Sequence, residues 1–436
     1  MTASFLQDQF RTRLDDLPGT AATRAAREEA MSAFSEAGYP TRKWEDWRYT
    51  DLNRISSVEF DPIPGPPSED VIAQARQLVD QSVLAHELQP IVFIDGHRSD
   101  AFGPLPDIEG LEILDLGDTD DQLLRSQSEA ADKDGPLAAL NTAFSAGGIH
   151  IVVAADTVIE TALQLIFLSS EQPAVAQQPR IAINLASGAQ ITVIQQFLGD
   201  ARSASWTNAV TKIAQAPGSE LRLYRVQDHA DEQFHTELLS AELADDSNLE
   251  VGYMDLGGAL VRNDIQIDLA GPNARCDLFG LFVANEGQHV DNHIRIDHSA
   301  PETRSQQTFR SIIGDQGRGV FSGKVVVHKD AQKIDAQQSS DNLLLSERGE
   351  IDTKPELEIY ADDVKCAHGA TVGQLDEEQL FYLRARGMNE KTARGLLTFA
   401  FANAILLRLQ NSALRERVTD KVLERLPGQQ HVDEFL

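Results

Sequence analysis

One local event recurs through most of this chain: a turn of small or polar residues launches a short run of apolar or alternating residues. Ser187-Gly188-Ala189 precedes Ile191-Thr192-Val193-Ile194, and Pro217-Gly218-Ser219 precedes Leu221-Arg222-Leu223-Tyr224. Asp246-Ser247-Asn248 leads into Leu249-Glu250-Val251, and Gly271-Pro272-Asn273 into Cys276-Asp277-Leu278-Phe279. Gly317-Arg318-Gly319 then precedes Val320-Phe321, and Arg348-Gly349-Glu350 precedes Leu357-Glu358-Ile359. The turns return roughly every 26–32 residues with one longer gap, the spacing of a stacked solenoid. Each unit is too short to bury its own apolar face, so neighbours must stack to make one core. Period-two alternation, as at Leu221 and Leu223 or Leu249 and Val251, makes the units strands. A β-sandwich also has short strands and frequent turns and stays open as the alternative.

This texture begins near Ile149. Before it, Ala21 to Ala37 is rich in good helix formers, Pro62 to Pro67 interrupts regular structure, Pro90 to Asp95 reads as a strand and Ala130 to Ser145 as a helix. After it, Asp376 with Gln379 forms a capping box for a helix from Glu377 to Arg386, ended by Gly387. A second helix runs from near Asn389 to Leu409 and is apolar nearly all round, so it is expected to be buried on several sides. A third covers Leu414 to Leu426 and stops at Pro427-Gly428. The expected division is an N-terminal helical and mixed domain over 1–148, a β core over 149–373 and a C-terminal helical domain over 374–436.

Composition narrows the function classes. The formal net charge of -30 repels phosphate backbones and anionic lipid, which disfavours nucleic-acid and membrane partners. Salt adaptation accounts for such acidity equally well. The two cysteines, Cys276 and Cys366, make neither a disulfide framework nor a self-contained four-thiolate site. With no signal-type segment at Met1 to Leu14, and an apolar maximum at Gly395 to Leu407 shorter than the ~20 residues that span a bilayer, a cytoplasmic protein is expected.

Three groups of residues could carry chemistry. In Lys365-Cys366-Ala367-His368-Gly369, Cys366 and His368 stand two apart on a strand and share a face, so a thiolate and an imidazole could meet one soft metal or sulfur species. Two ligands do not complete a metal site, and a functional role demands donors from elsewhere, such as a partner chain. A purely structural role for the pair is the competing reading. In Gln288 to His298, His289 and His293 have the His-x-x-x-His spacing of zinc proteases, but Val290 occupies the general-base position. Read as a strand, His289, Asp291, His293, Arg295 and Asp297 line one face as a solvated polar ladder, with Val290, Ile294 and Ile296 inward. Nucleophilic catalysis by Cys366 or Ser339 lacks a Gly-x-Ser-x-Gly elbow and a third group to orient a base. No Gly-x-x-x-x-Gly-Lys-Ser/Thr loop is present for ATP hydrolysis. Trp44 and Trp47 read as a small hydrophobic cluster of the N-terminal region.

Several of these segments together resemble one family. Ser339 to Ser346, Glu350, Asp352-Thr353-Lys354-Pro355, Leu357 to Tyr360, Asp363-Val364-Lys365-Cys366, His368 to Gly373 and Leu380 to Gly387 are similar to the SufB/SufD family of iron–sulfur cluster assembly proteins. Asp291-Asn292, Ile296-Asp297-His298, Gly319 to Lys324 and the N-terminal Lys43 to Thr50 fit as well. The modest length and two cysteines resemble the SufD-type branch. The resemblance implies a mainly β fold: a right-handed parallel β-helix core flanked by N-terminal and C-terminal α-helical domains. It also implies a non-catalytic scaffold subunit that pairs with SufB through the end of the core and docks the SufC ATPase on its C-terminal helices, driven by SufC ATP hydrolysis. His368, with Cys366 beside it, would contribute to a transient iron–sulfur cluster or iron site shared with SufB, none being bound stably by this chain. A SufB-like homodimeric scaffold and a β-helix enzyme acting on polysaccharide are the alternatives. No flavin motif is present.

Overall fold

Seven residues with positive φ, Asp156, Gly188, Gly218, Asp246, Asn273, Glu302 and Lys333, line one edge of the molecule with φ between 56° and 70°. Each of the first six donates its backbone N–H to the carbonyl of the residue just before the next: Asp156 to Ser187, Gly188 to Pro217, Gly218 to Asp245, Asp246 to Pro272, Asn273 to Pro301 and Glu302 to Gln332. Lys333 extends the series to Asp363. The recurring turns of the sequence at 188, 218, 246 and 273 are therefore rungs of one hydrogen-bonded ladder. The left-handed conformation costs an ordinary residue about 1–2 kcal/mol, so Gly, Asn and Asp hold five of the seven rungs.

The computed structural model describes residues 1–84, 86–115, 134–172, 174–199 and 204–426. The strands form two ten-stranded sheets, and from Arg180–Leu185 onward successive strands pass alternately to one and the other. One sheet runs from His97–Arg98 to Val364–Gly373, the other from Leu111–Asp115 to Glu350–Ile359. From Leu163 onward every pairing is parallel and in continuous register. This is a parallel β-helix, and the sandwich alternative is excluded. Each coil has two turns. Those at 188, 218, 246 and 273 belong to one corner, whereas those at 317 and 349 belong to the other, which explains the longer gap.

Inward rows follow from period two. Ile191, Leu221, Leu249 and Cys276 stack in register as one apolar column and Val193, Leu223, Val251 and Leu278 as a second, all nearly inaccessible. Burying each such side chain contributes about 1.5–3 kcal/mol. Phe93, Phe167 and Phe197 stack at 4.9 Å between centroids along the same lumen.

Helices close the flanks. The helix Ala21–Ala37 forms as the composition predicts, with Thr20 capping the N–H of Thr23. Its Arg27 donates to the carbonyls of Thr142, Ala143 and Ser145 at the end of helix Pro136–Phe144. Ala130 to Lys133 of the expected helix, and Pro427-Gly428, lie outside the described residues. Helices Glu377–Ala385, Glu390–Leu406 and Ser412–Arg425 follow the last coil. Asp376 caps Glu378 and Gln379 through one carboxylate oxygen. The middle helix packs Phe399, Ala402, Ile405 and Leu406 onto the outer face of the first sheet at Tyr224, Phe279, Leu281 and Ile312. Arg310 lies 4.7 Å from the Phe401 ring, and Arg408 pairs with Asp277 at 2.5 Å.

Candidate functional site

The last coil ends in two edge strands, Glu350–Ile359 and Val364–Gly373, each paired on one side only among the described residues. Lumen-facing residues of the preceding strand, Ile334, Ala336, Gln338, Ser340 and Asn342, are buried. Their in-register partners on the final strand are Val364, Cys366, His368, Ala370 and Val372. These five share the lumen-facing parity, yet exposure rises along the row: Val364 and Cys366 are half-buried, while His368, Ala370 and Val372 are exposed. The row is inward by geometry and open because no further coil among the described residues covers it. Ile359, Tyr360 and Val372, at 40, 62 and 50% exposure, leave apolar surface at the same end.

Cys366 and His368 thus share the face that the sequence predicts, but in different surroundings. The thiol packs with Val364 against Val325, Val327, Ile334 and Ala336. Burial, then the nearby Asp335 carboxylate, raise its pKa, with a backbone hydrogen bond from Ala336 opposing. It is a protonated thiol, a poor nucleophile and no ligand until its proton is displaced. Cys276 is buried in the main core, where desolvation raises its pKa further. Ser339 aligns with Gly369 and faces outward, opposite His368, so the two do not form a nucleophile–base pair. Among the described residues, no three His, Cys, Asp or Glu side chains gather as a metal site.

The His289–Asp297 row needs a correction. The strand His289–His298 forms with Val290, Ile294 and Ile296 inward, as parity requires. Its outer face is not a fully solvated ladder. Thr50 hydrogen-bonds both His289 (2.8 Å) and Asp291, and Asp46 approaches His293 at 3.5 Å. Asp291 also pairs with Arg262 at 2.6 Å. Burial lowers the His289 pKa to about 4, with Asp291 opposing. Trp47 belongs to this strap and stacks on Arg262, while Trp44 stays 40% exposed. Trp47 thus belongs to the apolar cluster of the N-terminal region and also anchors that region onto the β-helix, through a contact between residues more than two hundred positions apart.

Sequence reasoning also missed a polar half of the lumen. Arg225 is wholly buried, pairs with Glu237 at 2.8 Å and with Asp255, and donates to Asn263 at 3.0 Å. His229, His235 and Asn292 are likewise buried beside it. The available signal was parity: Leu221, Leu223, Arg225, Gln227 and His229 form one row, apolar at the ladder edge and polar at the other.

Comparison with known proteins agrees with this architecture. The family model described as "SUF system FeS cluster assembly, SufBD core domain" matches residues 167–401, and "SufBD protein N-terminal region" matches residues 7–63. The chain is 31% identical over 411 residues to the iron–sulfur cluster assembly protein SufD of Escherichia coli, covering 92% of both chains. It is 27% identical to an iron–sulfur cluster assembly SufBD family protein of Synechocystis, covering 96% of this chain and 98% of that one. A core model spanning over half the chain, laid on a parallel β-helix with its final coil uncovered, establishes that the chain belongs to the SufB/SufD family of iron–sulfur cluster assembly proteins.

Proposed function

We propose that this chain is a SufD-type scaffold subunit that helps build nascent iron–sulfur clusters at an interface with a SufB partner, without catalysing a reaction itself. The observation that carries the reading is the position of His368: a lumen-parity imidazole left exposed at an uncovered end of the β-helix. A neutral imidazole ligates iron and releases it readily, which suits a cluster that is cargo and must leave. Cys366 lies deeper on the same row, where its protonated thiol becomes a ligand only as metal arrives. Remaining donors come from the partner in this reading, because this chain's described residues supply no third one.

The exposed Phe381 and Tyr382 on helix Glu377–Ala385, with Leu407 after the next helix, offer an apolar surface for the SufC ATPase, whose hydrolysis cycle would reshape the SufB–SufD interface. A cytoplasmic setting fits this assignment. Among the described residues no helix is long and apolar enough to cross a membrane.

The test is co-expression with candidate SufB and SufC chains. Wild-type and His368→Ala chains should both co-purify with a cysteine-richer homologue and a P-loop ATPase. The variant complex should lose cluster formation by more than the roughly tenfold typical of removing a mere supporting group. Full cluster formation by His368→Ala removes the ligand role. Recovery of the chain only as a homodimer, active without a second homologue, favours the SufB-like alternative.

A further inference from the structure

We propose that Gln338 positions His368 by accepting its imidazole Nδ1–H through Oε1, leaving Nε2 bare at the open end. This rests on the reading of His368 as a ligand and adds the group that aims it.

Gln338 and His368 are in-register partners on the adjacent parallel strands Ile334–Leu344 and Val364–Gly373. In-register residues of parallel strands stack on one face at about 4.8 Å. Gln338 is buried at 4% exposure, and its Nε2 donates to Gln307 Oε1 at 2.9 Å, one coil deeper on the same register line. That bond fixes the amide, with Nε2 towards Gln307 and Oε1 on its other side. Gly323 makes the arrangement possible, since a Cβ there would stand 2.0 Å from Nε2. The Oε1 itself is buried with no hydrogen-bond partner among the described residues. Leaving such an acceptor unmade costs about 1–3 kcal/mol. The next side chain on its line, His368, also makes no hydrogen bond among the described residues. In the proposed arrangement the exposed ring turns towards Gln338 and satisfies both.

The chemistry follows from the bond. An imidazole whose N–H is donated to a fixed acceptor is held in one tautomer and one orientation, and its other nitrogen becomes the better donor to a metal. Nδ1 lies nearest the strand and meets Gln338, whereas Nε2 reaches outward. An amide acceptor does this without adding a negative charge, so the ring is aimed but not turned into a tight permanent ligand.

The test reads the tautomer in the full-length chain labelled with ¹⁵N-histidine, with His368 assigned by its loss in His368→Ala and the ring kept neutral. The wild type should show the Nδ1–H form. Gln338→Leu should revert to the mixture of a free imidazole, and Gln338→Glu, which keeps an acceptor, should restore the wild-type pattern. Gln338→Met, unbranched like Gln, replaces the Leu variant if that chain does not fold. In the complex, Gln338→Leu or Met should lower cluster formation about tenfold. An unchanged tautomer in the Leu or Met variant overturns the positioning role and leaves the ligand role to be judged by His368→Ala. A shifted tautomer with full cluster formation by His368→Ala overturns the ligand role while the hydrogen bond stands.

Discussion

The guanidinium carbon of Arg262 stands 4.4 Å from the ring centre of Trp47, and the same guanidinium pairs with Asp291 and Asp264. A buried cation on the β-helix is thus sealed by an aromatic residue from the N-terminal strap. Trp47→Ala removes the seal and a nearly buried side chain together, and should cost about 3 kcal/mol in urea unfolding. Trp44→Ala, three residues away but 40% exposed, should change stability by less than about 0.5 kcal/mol. Equal effects of the two would show that the strap is not anchored at Arg262.

Arg225 is the buried cation between two buried carboxylates, Glu237 and Asp255. Arg225→Met strands both acids, and breaking such a group typically costs about 3–5 kcal/mol. Burial already raises the pKa of both carboxylates against the pull of Arg225, so losing the cation raises them further. The variant's native state then holds protons that its unfolded state has released, and stability rises as pH falls. The penalty at pH 5 should therefore be smaller than at pH 7. A penalty that grows on acidification would mean that Glu237 and Asp255 stay ionised without Arg225.

How far the fold was legible follows from which contacts are local. The turns are largely written in the chain because a left-handed rung favours Gly, Asn or Asp, as at Gly218, Asp246 and Asn273, though Glu302 and Lys333 hold two others. The shared face of Cys366 and His368 is likewise local, being fixed by period two. The strap was not legible: Thr50 meeting Asp291 depends on how the N-terminal region folds back, and neither residue's neighbours encode it. Nor could parity alone reveal that Gln307, Gln338 and His368 form one line, because that requires the register of three strands from successive coils.

His298 gives the chain a defined acid limit. It is fully buried, with Nδ1 bonded to Thr303 Oγ1 at 2.7 Å and Nε2 to Ser305 Oγ at 2.9 Å. Burial lowers its pKa to about 4; Asp297 opposes the shift and His328 adds to it. An unfolded histidine titrates near 6.5, so between these values the unfolded chain binds a proton that the native state refuses. The contribution is complete above about pH 6.5 and is lost as pH falls towards 4, on the order of 3 kcal/mol in all. His298→Gln should flatten the stability-versus-pH curve in that window by up to one proton. A slope identical to wild type would assign the acid sensitivity to other groups, His289 first.

The edge ladder supplies a prediction with two signs. Gly218 adopts φ of 70° and Glu302 φ of 62°, equivalent rungs filled by the most and one of the less tolerant residues. Gly218→Ala introduces a Cβ into the left-handed conformation and should cost about 1 kcal/mol. Glu302→Asn puts at that rung the residue type already present at Asn273, enriched in this conformation and no more flexible than Glu when unfolded. It forfeits the exposed ion pair with Lys333, of the kind that contributes little. A net gain of about 0.5 kcal/mol is expected, read as a higher urea midpoint at unchanged slope. If both substitutions move the midpoint in the same direction, backbone conformation is not what selects residues along this edge, and the ion pairs or turn contacts must do so instead.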